Sequence, residues 1–242
     1  MNIVKRQSPN QNIGRQGWIP DIIVCHITEG SFDGTVSWIT NPSSRVSYHF
    51  VVARDGRIVQ SVNISNTAWS NGTTSGFASN GSRNSRISEV RARNVNANLY
   101  TISIGFEGRL SQKQGNLSDA QLASGIDLIN HICGEVKRIF GTCIPVDRDS
   151  IVGHADITPL WKPNCPGSMF PFDKIINQLK ELNQPEDNNG TMRFKINNQI
   201  IYIPAFIRND RTYVQARSLV ESMGYVAEWD DDTRTVVVSG LQ

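Results

Sequence analysis

Residues 152–167 read VGHADITPLWKPNCPG, and the rest of the chain is organised around them. The stretch sets His154 eleven positions before Cys165, in a loop where Pro159, Pro163 and Pro166 fix φ and restrict the segment. Imidazole and thiolate suit Zn²⁺, and two such groups in one braced loop call for a partner from elsewhere in the chain. His26 is the candidate. It follows the apolar run Ile22-Ile23-Val24-Cys25, which reads as a buried strand, so its imidazole would emerge at a strand end. Three protein ligands leave a fourth position open, as in a catalytic zinc site, and no fourth protein ligand for a structural site is evident. Taken alone, a histidine near a cysteine is more often packing than a metal site.

Five segments carry the reading further: DIIVCHIT (21–28), VSYHFVVARDGRIVQ (46–60), AWSNG (68–72), TISIGFEG (101–108) and GHADITPLWKPNCPG (153–167). In this order and at these separations they resemble the zinc-dependent N-acetylmuramoyl-L-alanine amidases, the family that also includes amidase-type phage lysozymes and the peptidoglycan recognition proteins. The likeness spans about residues 18–182. It implies an α/β fold with a mixed, mostly β sheet flanked by helices, and Zn²⁺ held by His26, His154 and Cys165. The implied substrate is peptidoglycan, cut at the amide between the lactyl group of N-acetylmuramic acid and L-alanine.

By the same likeness, Glu107 at the end of TISIGFEG is the carboxylate that moves protons, although a surface carboxylate beside Gly108 also fits the residues. Lys162 matches a lysine of the family's metal loop, where an ammonium stabilises an oxyanion. Tyr48 matches a tyrosine beside the site in the phage-lysozyme branch, with a packed strand tyrosine as the alternative. One departure is visible. Many members carry a histidine after the Ala-Trp pair, whereas Ala68-Trp69 is followed here by Ser70-Asn71-Gly72, leaving substrate contacts more dependent on Lys162. Trp69 presents a face to sugar or stem peptide, or else packs in the core. His49 points to the strand face opposite Tyr48 and reads as a hydrogen-bonded core histidine.

The length of 242 residues suits one substantial core plus a small second module. A formal charge of +2 is too small to imply nucleic acid as the partner. Up to residue 184 the chain carries 18 Lys+Arg against 14 Asp+Glu, a net of +4, and the remainder 6 against 8, a net of −2. That asymmetry fits a basic module meeting an anionic polymer, and a solvated surface equally well. Cys25, Cys133, Cys143 and Cys165 form no CxxC pair and no dense framework, which argues for reduced thiols and leaves a Cys133–Cys143 pairing undecided. The first residues, MNIVKRQSPNQNIGRQGW, lack an apolar signal region, and no later run is long enough to span a bilayer. The expectation is synthesis in the cytoplasm, with the wall reached by a separate, holin-type or lysis-dependent release.

Strands are expected at 22–27, 46–53, 57–62, 100–107 and 150–152, the second and third joined by the Arg54-Asp55-Gly56 turn. A short helix is expected around Val36–Ile39, and a polar loop over 63–98. The clearest helix is 117–140, with a capping box from Ser118 to Gln121 and an apolar stripe of Leu122, Ile126, Ile129, Cys133, Val136 and Phe140. His131 lies off that stripe and reads as exposed, and a closing helix covers 172–182.

Residues 1–183 therefore read as the catalytic domain, 184–191 as a polar linker and 192–242 as a small α+β module. In the module, hairpins are expected across Asn197-Asn198 and at 230–233, with a helix over 213–223. It resembles the stalk-type module named after the N-terminal domain of copper amine oxidases. Holding no His and no Cys, it implies wall binding, spacing or self-association rather than copper. The reading is a peptidoglycan hydrolase of the phage or prophage endolysin kind. The alternatives are a bacterial autolysin of the same chemistry and a non-catalytic peptidoglycan-recognition protein, against which Cys165 argues.

Overall fold

The runs Ile22–Ile27 and Thr101–Phe106 bury every residue on both faces, as parallel strands covered on two sides must. The computed structural model describes residues 1–73, 81–93, 95–182, 191–196, 199–208, 211–230 and 235–240, and the chain divides into two units, Met1–Leu182 and Asn183–Gln242. In the first unit the strands are β1 (Ile3–Lys5), β2 (Gln11–Asn12), β3 (Ile22–Ile27), β4 (Phe50–Val52), β5 (Ile58–Gln60), β6 (Thr67–Ala68), β7 (Thr101–Phe106) and β8 (Ile151–Gly153). Its helices are α1 (Phe32–Thr40), α2 (Ser88–Ala92), α3 (Leu110–Lys113), α4 (Asp119–Phe140), α5 (His154–Ile157) and α6 (Phe172–Leu182). A mixed six-stranded sheet runs β1-β5-β4-β7-β3-β8, with β3 parallel to both β7 and β8, and β4 antiparallel to β5. This is the mixed α/β architecture expected from the sequence.

Alternation along β3 assigns its two faces. Ile23, Cys25 and Ile27 pack with Ile102, Ile104 and Phe106 against Leu122, Ile126, Ile129 and Val136 of α4 and Ile175, Ile176 and Leu179 of α6. Ile22 and Val24 meet Ile87, Val90, Leu99, Tyr100, Val152 and Ile157, while α1 packs against Val51 and Val59. Ser118 caps α4 by accepting the Gln121 N–H, and Gly141 ends it at φ 74. The expected reciprocal half of the capping box gives way to a tertiary role. Gln121 Nε2 donates to Val52 O (3.1 Å) and Glu107 O (3.0 Å), joining the helix to two strand ends.

The strand expected over 46–53 is confined to β4. The polar stretch after residue 62 is also more ordered than expected. It contains β6 and α2, and residues 74–80 lie outside the described residues. Arg15 anchors this region: Nε donates to Ile64 O (2.7 Å), and Nη1 to Leu99 O (2.9 Å) and Thr101 O (3.1 Å). Cys133 and Cys143 are free thiols, and His131 is exposed.

In the second unit β9 (Thr191–Ile196) and β11 (Arg211–Val214) flank β10 (Gln199–Arg208), all antiparallel, and β12 (Tyr225–Asp230) pairs with β13 (Thr235–Gly240). Helix α7 (Ala216–Ser222) is shorter than the expected 213–223, because Tyr213 and Val214, an aromatic and a β-branched residue, pair with Phe206 and Ala205 in the sheet. The expected linker falls mostly outside the described residues, as do the expected turn at 197–198 and, of the one expected at 230–233, all but Asp230, which ends β12. Among the described residues no helix is long and apolar enough to cross a membrane.

Candidate active site

The alternation that buries Cys25 on the α4 side puts His26 on the other face, one residue before the end of β3. Strand β8 lies beside β3, and His154 follows it directly as the first residue of α5. The loop after α5 returns Cys165 to the same place. The ligand atoms of His26, His154 and Cys165 all lie within 4.8 Å of one another, and the two imidazole centroids are 4.5 Å apart at 67°.

The loop approaches β8 so closely that a Cβ on Gly153 would fall 2.5 Å from Pro166 Cδ. Ala155 N–H donates to Cys165 O at 2.8 Å. Asp156 completes the brace: its Oδ2 accepts from Gly153 N (2.8 Å) and Arg148 Nη2 (3.1 Å), while its carbonyl accepts from Arg86 N (2.8 Å) and Ser85 Oγ (2.7 Å). Asp156 is a functional support that no sequence motif singles out. An acidic residue in the first turn after Gly153 was the available signal.

Burial sets the charge states. It holds the His26 imidazole well below its ordinary pKa, helped by His154 and Lys162 and opposed by the Asn71 side chain. It takes His154 down to about 3, with Lys162 contributing. Both rings are therefore neutral at pH 7, with lone pairs free to bind metal. Burial also pushes the Cys165 thiol up to about 11, against a backbone hydrogen bond from Ile27 and the charge of Lys162, with Glu29 adding to the rise. A divalent cation at this point would reverse that preference and favour the thiolate. Two neutral imidazoles and a sulfur converging in a buried corner fit Zn²⁺.

A cleft of about 590 Å³ opens over the three residues, its walls including Glu29, Trp38, Tyr48, Trp69, Trp161 and Lys162. The Tyr48 ring lies 5.0 Å from that of His26, and burial raises its hydroxyl pKa, so it stays protonated. Gly105 makes room for it, since a Cβ there would sit 3.0 Å from Tyr48 Cδ2 and 2.9 Å from Thr28 Cγ2. Trp69 is half-buried and anchored through its Nε1–H to Asn12 Oδ1, and Lys162 is exposed on the wall.

Glu107 is the sequence-predicted residue that the cleft does not include. Its Oε1 accepts from Phe32 N (3.0 Å) and its Oε2 from Arg54 N (2.8 Å), because the free N–H at the start of α1 attracts a carboxylate from the adjoining strand end. The carboxylate in the wall is Glu29, three positions after His26, whose Oε1 accepts from Leu110 N at 3.0 Å. Nothing in its sequence context marks it. His49 is 1% exposed: Nδ1 accepts from Ser103 N (3.0 Å), and Nε2 lies 2.9 Å from Arg15 Nη2 and 3.2 Å from Asn66 O, a core role as expected.

Residues 186–239 match the family model described as the copper amine oxidase N-terminal domain. The chain is 31% identical over 168 residues to N-acetylmuramoyl-L-alanine amidase A of Achromobacter lyticus, covering 65% of this chain and 81% of that protein. It is 32% identical over 136 residues to the 1,6-anhydro-N-acetylmuramyl-L-alanine amidase AmpD of Haemophilus influenzae, covering 56% and 60%. Among solved structures it shares its fold with a selenomethionine derivative of AmpD (TM-score 0.50, 22% identity, 73% of this chain and 93% of that one). It likewise resembles a point mutant of PlyL (TM-score 0.51, 17% identity, 74% and 99%). Residues 16–168, which contain His26, His154 and Cys165 and make up more than half of the sequence, match the family model for N-acetylmuramoyl-L-alanine amidase, and the chain belongs to that family.

Proposed function

We propose that this amidase is Zn²⁺-dependent and that it cuts the bond between N-acetylmuramic acid and L-alanine in peptidoglycan. The observation that carries the proposal is the convergence of His26, His154 and Cys165 at the base of the cleft. Zn²⁺ held by these three supplies Lewis acidity at a carbonyl and acidifies a water towards a pKa of about 7. The protein's own groups do the rest. The Lys162 ammonium balances the charge that builds on the carbonyl oxygen, and the Tyr48 hydroxyl, kept protonated by burial, donates to it. Trp69 offers a face to the sugar or stem peptide from the cleft wall.

Glu107 is assigned the proton transfer, taking a proton from the attacking water and giving one to the leaving amine of L-alanine. Its strand position supports this, and catalytic hydrogen bonds often tighten only when substrate is bound. A second reading assigns the role to Glu29, favoured by its place in the cleft wall and by its electrostatic effect on Cys165 and Tyr48. The unit 183–242 is assigned a wall-targeting or spacing role, with release to the wall as for an endolysin or autolysin.

Mass spectrometry of products released from purified peptidoglycan tests the reaction. Stem peptides with a free L-alanine amino group are the expected product. Cleavage at another bond overturns the assignment, and no cleavage of several peptidoglycan types by zinc-loaded protein would favour a recognition protein.

A further inference from the structure

The three-stranded sheet of the second unit has two unlike faces. Along β10, Ile203 (1% exposed) and Ala205 are buried, whereas Ile200, Tyr202 (57% exposed) and Pro204 are exposed. That is the alternation of a strand covered on one side only. The register carries it to the neighbouring strand, because residues paired across an antiparallel ladder share a face. On β11, Val214 stands opposite Ala205, and Tyr213, 43% exposed, stands opposite Phe206.

The same register sorts the charges. Residues after 184 carry six Lys+Arg against eight Asp+Glu. Four of those six basic residues take positions on the exposed face. Lys195 and Arg193 on β9 stand opposite Ile200 and Tyr202, and Arg211 on β11 stands opposite Arg208. No Asp or Glu occurs in β9, β10 or β11. A net-acidic unit therefore presents one sheet face whose charged positions are all basic, with an apolar and aromatic row between them. From position 200 to position 208 that row runs about 27 Å along the strand. Large apolar side chains exposed in line, rather than singly, mark a contact surface.

We propose that this face binds the glycan strand of peptidoglycan, with pyranose rings lying on Tyr202 and Tyr213 and stem-peptide carboxylates drawn to the basic positions 193, 195, 208 and 211. The proposal rests on the wall-targeting reading of this unit. Sugar rings offer C–H faces that pack on an aromatic ring, and tyrosine adds a hydroxyl at the polar end. The basic positions attract the carboxylates over longer range. A polymer that offered charge alone would leave the apolar row without a partner. The polymer is also the substrate of the first unit's family, so a second contact on it holds the cleft at the wall.

The test uses full-length, metal-free protein, so that nothing is cut, sedimented with insoluble peptidoglycan stripped of its phosphate polymers by acid. Tyr202→Ser should bind about tenfold more weakly than wild type, the loss expected for an aromatic anchor. The double variant Arg193→Gln/Lys195→Gln should bind more weakly at low salt, and wild-type affinity should converge on it as salt is raised. Arg217→Gln, which removes a basic residue of α7 outside the sheet, should bind as wild type. Wild-type affinity in both face variants overturns the proposal, as does an equal loss in Arg217→Gln. Binding that requires the phosphate polymers assigns the face to them and overturns it too. So does a dimer in sedimentation velocity that Tyr202→Ser dissociates with no loss of peptidoglycan binding. Turnover of soluble muropeptide by zinc-loaded protein should be unchanged in all three variants. Its absence in wild type would overturn the amidase reading and leave the sedimentation result standing.

Discussion

Glu107 Oε1 accepts the backbone N–H of Phe32 at 3.0 Å, so the residue that follows strand β7 satisfies the first turn of helix α1. Glutamine at this position keeps one acceptor but turns an amide N–H towards the second backbone donor, that of Arg54. Glu107→Gln should lower unfolding free energy by about 1–3 kcal/mol in urea titrations. Turnover should fall about 10²- to 10⁴-fold, with zinc content and binding of peptidoglycan fragments retained. Glu29→Gln should leave both the melting temperature and most of the turnover intact. The reverse ranking of the two variants would transfer the proton role to Glu29.

Purified protein should carry about one zinc per chain, lose turnover with a chelator and recover it with added Zn²⁺. Cys165→Ser and His26→Ala should each lower the bound metal, since each removes one of the three converging donors. Full turnover in metal-free protein, or unchanged metal content in both variants, would remove the site.

Stability of the metal-free protein should fall as the solution is acidified from pH 7.5 to 5.5. His49 is held below its ordinary pKa mainly by burial and then by Arg15, against the Asn66 carbonyl, and His26 and His154 are depressed as well. An imidazole whose folded pKa is depressed takes up its proton only on unfolding. Its contribution is intact above an unfolded pKa of about 6.5 and is lost as pH falls towards the folded value. Each such histidine adds a slope of up to about 1.4 kcal/mol per pH unit in that window. A flat urea midpoint across the range would contradict the buried, neutral assignment.

Arg15→Met should be among the most damaging substitutions far from the cleft. The guanidinium is 4% exposed, burial lowers its pKa to about 9, and it satisfies the carbonyls of Ile64, Leu99 and Thr101. Methionine fills the volume but leaves these acceptors unpaired, at a cost of about 3 kcal/mol or more. Arg57→Met, which removes the exposed pair with Asp55 and the guanidinium 4.9 Å above the Phe32 ring but leaves no buried acceptor unpaired, serves as the control and should leave the urea midpoint near wild type. Equal effects of the two would show that the Arg15 network contributes no more than a surface charge.

A chain ending at Leu182, the limit of the first unit, should still cleave soluble muropeptide while sedimenting less with intact cell walls. A second wall contact raises the local substrate concentration without touching the reaction. Equal sedimentation of the short and full chains would leave the second unit a spacer or self-association role.

The sequence by itself determined the sheet-forming runs and the long helix with its Ser118 cap, which are written in local periodicity, and it named His26, His154 and Cys165 through five matching segments, while their convergence is the work of the fold. It also placed His49 in the core, since alternation along a strand separates that residue from Tyr48. Only the tertiary structure decided where Glu107 and Gln121 spend their hydrogen-bonding groups. Glu107 turns to backbone donors at Phe32 and Arg54, and Gln121 leaves its cap for Val52 and Glu107, partners 53 to 75 or 14 to 69 positions away in the chain. Glu29 in the cleft wall, Arg15 beneath the polar segment and Asn71 on the Thr101 hydroxyl were hidden for the same reason. A buried polar group must find a partner wherever the fold brings one, and that choice is made across the sheet rather than along the chain.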